Sequence, residues 1–172
     1  FRCLKSLKNI KKIIILDNSN DLLLKKKIKK IYPHINFILS KKNNGYGAGN
    51  NKIFRLAKTS HVLVLNPDTI LSENCIKELI YQANLIKNKF AILAPNEKKI
   101  IKKRITEVEY VKGFSMLVNL STIKKIKMFD ENYFLYLEEI DLCKRLKLVS
   151  EKFYICGKAK ITHLSAKSSN IG

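Results

Sequence analysis

The run His61-Val62-Leu63-Val64-Leu65-Asn66-Pro67-Asp68-Thr69 narrows the choice of folds more than any other part of this chain. From Val62 to Leu65 it is apolar and rich in branched residues, the pattern of a buried parallel strand. The strand stops at Asn66. Pro67 has no amide hydrogen to offer a ladder, and it biases the residue before it toward extended backbone. Asp68 therefore stands just past the carboxyl end of a buried strand, the edge at which open α/β sheets bind ligands. A carboxylate there, beside the Asn66 amide, suits a hard divalent cation and, through it, a phosphate. Taken alone, Asp68 has a commoner role: opening a turn, or capping a helix that begins near Ser72 or Glu73.

Strands and helices alternate along the rest of the chain. Helical patterns cover 1–7, 21–31, 73–87 and 137–146, and Ser121 can cap a short helix reaching Lys127. Strand patterns cover 11–16, 35–40, 90–95, 112–118 and 153–156, with Ile161-Thr162-His163 following the last. The basic, poorly patterned stretch 98–110 reads as an edge hairpin or loop. The alternation predicts an α/β fold with a mostly parallel sheet flanked by helices. With 172 residues and neither an internal repeat nor a linker, one domain over 1–172 is expected.

Several stretches carry chemistry. Asp17 ends the first strand pattern and could bond a ribose or a base, or equally hold a turn. Asn43 to Asn51 contains Gly45, Gly47 and Gly49 in alternation, which lets backbone approach a ligand closely. A helix expected from about Gly49 to Lys58 would favour an anion at its N-terminus. The dinucleotide fingerprint is absent, because Asn50 stands where its third glycine would be. Glu138, Glu139 and Asp141 open the helix at 137–146, with Lys144 and Arg145 later, as the helix dipole prefers. Asp141 and Arg145 are spaced to pair. Glu139 shares a face with Leu142, Cys143 and Leu146, so it is the carboxylate expected to point inward, where desolvation raises a pKa toward that of a useful base. A lone histidine such as His163 is usually a hydrogen-bonded residue, although neutral imidazole can also ligate a divalent metal. The aromatic stretch Met128 to Tyr136 is expected to pack near a pocket.

Charge sets the range of partners. Lys and Arg number 34 against 14 Asp and Glu, a net charge of +20. Such a balance suits anionic membranes or phosphorylated substrates. The lysines are spread throughout and no nucleic-acid module is present, so no specific nucleic-acid partner is expected. Cys3, Cys75, Cys143 and Cys156 lack metal-ligand spacing and read as reduced cytoplasmic thiols. No run is long enough to span a membrane.

Taken in order, these pieces resemble the family 2 inverting glycosyltransferases of the GT-A fold, in particular the rhamnosyltransferase-like branch of bacterial surface polysaccharide synthesis. The resemblance covers nearly the whole chain. The family's Asn-Gly-rich loop is similar to Asn44-Gly45-Tyr46-Gly47-Ala48-Gly49-Asn50-Asn51. Its Leu-Asn-Pro-Asp variant of the D-x-D metal motif stands unchanged as Leu65 to Asp68. Gly113 resembles an acceptor-side glycine. Phe129-Asp130-Glu131, Phe134-Leu135-Tyr136 and Glu138 through Leu146 follow the family's later motifs, and His163 its downstream histidine. The base position, usually Asp, is Glu139 here. The family's first strand, which opens the nucleotide pocket, would precede Phe1.

The resemblance implies a Rossmann-like domain that moves a sugar from a nucleotide-diphosphate sugar to a hydroxyl of a glycan or lipid-linked acceptor, with inversion. Glu139 would be the base. Asp17, Asn44, Gly45, Gly47, Asn50, Asn66 and Asp68 would line the donor site, and Gly113, Glu138 and Asp141 the acceptor side. Asp68 and His163 would hold Mg2+ or Mn2+. The setting would be cytoplasmic, at the inner face of the cell membrane, with peripheral contact to anionic lipid. A nucleotidyltransferase, a non-catalytic basic module and an inactive remnant are the competing readings.

Overall fold

The computed structural model describes residues 1–97 and 103–164. Its elements run α1 (Arg2–Ser6), β1 (Ile14–Asp17), α2 (Leu22–Ile31), β2 (Asn36–Leu39), α3 (Tyr46–Leu56), β3 (His61–Leu65) and β4 (Thr69–Leu71). Then come α4 (Cys75–Leu85), β5 (Ile92–Asn96), β6 (Ile105–Val108), β7 (Ser115–Asn119), α5 (Leu120–Lys125), α6 (Glu138–Leu148) and β8 (Phe153–His163).

The principal sheet has the order β3-β7-β5-β8-β4, with β6 also paired to β8. All five residues of β7 are buried. Alternation explains how: Met116 and Val118 enter one apolar cluster and Leu117 another. Phe54 of α3, Leu120 and Ile123 of α5, and Leu142 and Leu146 of α6 cover the first face. Cys3 of α1 and Leu79 and Ala83 of α4 cover the second. A sheet covered on both faces needs strands apolar on both sides, which is why Met116, Leu117 and Val118 follow one another without a polar residue between them.

The α/β class, with a central sheet between helices, is the expected one. The strand directions are not mostly parallel. Of the six pairings among the described residues, only β1 with β2 and β5 with β8 are parallel. Strand periodicity reports burial of faces and is blind to the direction of a distant partner, so it could not separate the two cases.

Three boundaries also move. The Ser121 cap is replaced by Asn119, whose side chain accepts from the Ser121 amide at 3.2 Å. The last strand does not stop at Cys156: β8 runs through His163, held by β5 and β6 early and by β4 at its end. The helix expected from Gly49 starts at Tyr46. Of the hairpin or loop expected over 98–110, residues 98–102 lie outside the described residues, and 105–108 form β6. All four cysteines are buried free thiols.

Candidate active site

The end of β3 is shaped by a tight turn. The Asn66 amide donates to the Phe114 carbonyl at 2.9 Å. Pro67 takes the second turn position, for which its fixed φ is suited. The Thr69 amide and hydroxyl both return to the Asn66 carbonyl, at 3.2 and 2.7 Å. Asp68 is thereby presented at the turn's third position. One oxygen, Oδ2, lies 3.2 Å from His163 Nε2. The other, Oδ1, is buried and has no hydrogen-bond partner. The ladder enforces this proximity, because Thr69 is the direct cross-strand partner of His163. The Leu164 amide also donates to the Asp68 carbonyl at 2.9 Å.

The His163 ring is held from its flank. It stacks on Phe114, with centroids 4.3 Å apart and planes 16° from parallel. Its Nδ1 lies 3.9 Å from Glu97 Oε1, while Glu97 Oε2 accepts from Lys112 Nζ at 2.8 Å. An orphaned carboxylate oxygen beside an imidazole nitrogen fits a divalent cation: a buried acceptor without a donor is costly unless something positive completes it. Among the described residues no third His, Cys, Asp or Glu closes a full cage. Asp68 and His163 would leave most coordination positions to phosphate and water, the usual arrangement for a small hard cation at a phosphate site.

A second constellation lies along the same strand approach. The Tyr46 hydroxyl donates to the Gly113 carbonyl at 2.5 Å. A Cβ built at Gly113 would lie 3.6 Å from Glu139 Cβ and 3.7 Å from its carboxyl carbon. Lys112-Gly113-Phe114 thus touches Glu97, Glu139 and His163 through three consecutive residues. Tyr46 is held in its phenol form by burial first, and then by the charges of Glu138 and Glu139.

The two carboxylates divide differently from the expectation. Glu138 is the buried one, only 4% exposed, and its Oε2 has no hydrogen-bond partner. Burial pushes its carboxyl pKa up; its own amide opposes this and the charge of Glu139 adds to it. Glu139 is half-buried. The spacing is the reason: Glu138 stands four and eight residues before the buried Leu142 and Leu146 and shares their stripe of α6. Tyr136 and Leu137, just before it, both take left-handed backbone, with φ of 68° and 70°. Consecutive left-handed side-chain-bearing residues are strained, and such strain gathers at functional sites. Asp141 is committed to Arg145 at 2.7 Å, and Arg145 also donates to the Ile126 carbonyl at 2.6 Å.

The alternating glycines do not form an open phosphate loop. Only Gly45 has the backbone that glycine alone tolerates, with φ 86° and ψ 177°. Gly47 and Gly49 lie inside α3, where added Cβ atoms would come within 3.1 Å of Phe129 and 3.0 Å of Leu16. They are close-packing positions. Asn50 bonds the Tyr46 carbonyl at 3.1 Å. Asn51 is buried and pins Phe129 through both its carbonyl and its amide. Asn44 stays exposed, with its amide near the Lys42 carbonyl at 3.4 Å. Asp17 accepts from the Ser19 amide, the Ser19 hydroxyl and the Asp21 amide. Partial burial pushes its pKa up, but these bonds outweigh it and the net shift is downward. Both of its oxygens therefore shape a turn, the alternative left open by the sequence. Tyr46, Glu97, Lys112 and Phe114 were not singled out from sequence. The flanking glycines at 45, 47 and 113 were the available signal for Tyr46 and Phe114.

A family model described as "Glycosyl transferase family 2" matches residues 2–154. The chain is 30% identical to rhamnosyltransferase WbbL of Escherichia coli (strain K12), over 83% of this chain and 69% of that protein. It is 25% identical to the low-salt glycan biosynthesis hexosyltransferase Agl10 of Haloferax volcanii, over 80% of this chain and 54% of that protein, so it spans about half of that relative's length. Among solved structures, GalNAc-T7 with UDP, GalNAc and Mn2+ superposes with a TM-score of 0.77 at 10% identity, covering 94% of this chain and 40% of that one. The mannosyltransferase PcManGT of Pyrobaculum calidifontis, with GDP-Man and Mn2+, gives 0.75 at 7% identity, over 92% and 49%. At such identities these likenesses speak to the fold alone, and it is the GT-A fold.

Proposed function

This chain belongs to glycosyl transferase family 2, and from that membership we propose that it moves a sugar from a nucleotide-diphosphate sugar to a hydroxyl of a glycan or lipid-linked acceptor, with inversion. The observation that carries the reading is the Lys112-Gly113-Phe114 segment. Its glycine packs against Glu139, and its phenylalanine stacks on the histidine that faces Asp68. A carboxylate suited to taking a proton and a carboxylate suited to a metal–diphosphate thereby border one stretch of backbone.

In this reading the reaction is a single displacement. Glu139 accepts the proton of the acceptor hydroxyl as that oxygen attacks the anomeric carbon. Gly113 leaves room beside the base, and the Tyr46 hydroxyl fixes the carbonyl of that glycine. Asp68 and His163 would hold Mg2+ or Mn2+, which when bound offsets negative charge on the departing diphosphate. Phe114 keeps the imidazole plane fixed for that task. Glu138 stays buried next to the base in the chain. Gly45, Asn44, Asn50 and Asn66 border the donor side, with Asp17 shaping the turn next to it. The same reading sets the enzyme in the cytoplasm, in peripheral contact with an anionic membrane, supported by the net charge of +20. No helix among the described residues is long and apolar enough to cross a membrane.

The test is transfer from a panel of UDP-, GDP- and dTDP-sugars to glycan and lipid-linked acceptors with Mn2+ or Mg2+, reading the product's anomeric configuration by NMR. Inverted product is expected. A retained configuration, or the absence of any nucleotide-sugar binding, would overturn the reading.

A further inference from the structure

A cavity of about 370 Å³ opens between the end of β5, the end of β6 and the backbone leading into β7. Ala94, Pro95, Val108, Val111, Phe114 and Ile155 make its apolar walls. Small-molecule sites run from about 300 to 1,000 Å³ and are walled in this way. The cavity shares residues with the site described above. Phe114 lines it and also stacks on His163. Lys112 lines it too, and Gly113, between the two, packs against Glu139. A ligand in the cavity therefore borders the residues on either side of the one that meets the base. The charges at the rim are already matched. Lys112 bonds Glu97 at 2.8 Å, and Glu109 pairs with Lys147 of α6. Among the described residues lining the cavity, Lys112 is the only basic one, against the two acids Glu97 and Glu109. On a chain of net charge +20 this spot is a poor place for a diphosphate or any other anion.

We infer that this cavity seats an uncharged alkyl or aryl group attached to the acceptor, next to the sugar whose hydroxyl reacts at Glu139. Three observations choose that occupant. Apolar walls gain from taking such a group out of water. An anion would meet the two rim carboxylates. A bare sugar would leave most of its hydroxyls against apolar walls, which is costly. The shared residues give the placement: a group held against Lys112 and Phe114 brings the sugar attached to it toward Gly113, where no side chain stands in the way. The donor's diphosphate has its own place at Asp68 and His163. The inference deepens the transferase reading, on which its purpose rests: among glycan acceptors it selects those that carry an uncharged apolar aglycone. Occupation of the cavity itself can be read without any sugar transfer.

The test titrates octyl and methyl β-D-glucopyranoside, the first below its micelle concentration, into protein with isotope-labelled Val and Ile methyl groups. By NMR the octyl compound should shift the Val108, Val111 and Ile155 signals saturably and leave Val62 and Val64 of β3 unmoved. The methyl compound should shift none of them. In transfer assays the acceptors are offered as methyl, butyl, hexyl and octyl glycosides. The acceptor KM should fall by up to about fourfold for each methylene that enters, until the cavity is full, while the donor KM stays constant. Val108→Phe fills the cavity. It should flatten the alkyl series and weaken octyl binding roughly tenfold or more, with unchanged affinity for UDP plus Mn2+. The inference is overturned by a flat alkyl series in a protein that transfers, or by octyl-induced shifts away from the cavity. It is also overturned if Val108→Phe loses donor affinity and keeps the alkyl series, which would give the cavity to the nucleotide. Should that variant misfold, the methyl shifts and the alkyl series of the wild type still decide. A protein that seats the octyl group in the cavity but binds no nucleotide sugar would sink the transferase reading and leave the apolar site standing.

Discussion

The carbonyl oxygen of Phe134 occupies the space in which a side chain at Gly45 would begin, 2.1 Å from the ideal Cβ position. The crowding atom is backbone, so it cannot swing aside as a side chain would. Gly45 also has φ 86° and ψ 177°, a conformation nearly confined to glycine. Gly45→Ala should cost at least about 1–3 kcal/mol from conformation alone. In a chain of this length that lowers Tm by roughly 2–4 °C per kcal/mol. Thermal melts and urea titrations check it, and a variant as stable as wild type would mean that the 134–137 strip moves freely off Gly45.

Glu139→Gln keeps size and hydrogen bonding but removes the proton acceptor. Donor binding should survive, while transfer falls by about 10²–10⁴-fold. Glu139→Asp restores the residue usual in the family and should keep part of the rate. Transfer assays beside donor titrations on the same samples give the answer. Wild-type turnover in Glu139→Gln would move the base to another residue, Glu138 first.

Asp68→Asn removes the charge that faces His163 at 3.2 Å. Nucleotide-sugar affinity with Mn2+ should fall roughly tenfold or more, about 1.4 kcal/mol, while the metal-free affinity changes little. Calorimetry of wild type and variant, each with and without Mn2+, measures both. Equal affinity in all four conditions would remove Asp68 from the metal site.

Glu138 gives a pH signature. Burial raises its folded pKa above the ordinary 4.5. The native state then holds a proton that the unfolded chain has already lost, so stability falls as pH climbs from that ordinary value through the raised one. Below the window both states are protonated and the effect is absent. Glu138→Gln should therefore gain Tm relative to wild type as pH rises from 4 to 8, with little difference at the acid end. Parallel melting curves across that range would refute the burial argument.

Asp141→Asn should act on stability and leave chemistry alone. It removes the 2.7 Å ion pair with Arg145, both partners partly exposed. A loss of about 1 kcal/mol or less is expected, with donor affinity unchanged. A large drop in transfer without a drop in Tm would return Asp141 to the acceptor site.

What the sequence disclosed was local. Pro67 dictates where β3 stops whatever surrounds it, so the turn presenting Asp68 was legible. The Asp141–Arg145 pair was legible because one helical turn separates the two. The Gly47 and Gly49 roles were not, since their partners Phe129 and Leu16 arrive from distant segments. Glu138 and Glu139 were ranked wrongly for burial because both share a face with Leu142 and Leu146 by helical spacing, and which edge of that stripe is covered depends on distant segments. Glu97 and Lys112 lie on either side of β6 and meet only after the chain folds back between them. Strand direction depends on the partner, and periodicity within one strand holds no record of that.

The eleven-residue β8 carries one more implication, for how this chain can diverge. His163 faces Asp68 because the ladder pairs His163 with Thr69, not because the two side chains seek each other out. Side chains alternate along a strand, so one residue inserted or deleted between the β5-paired and β4-paired parts would send position 163 to the opposite face. The apolar clusters built on the early part of β8 would survive it. On the metal role proposed for His163, length changes in that strand would yield folded but inert descendants, and lineages that keep the activity should hold the spacing from Cys156 to His163 fixed while tolerating substitutions within it.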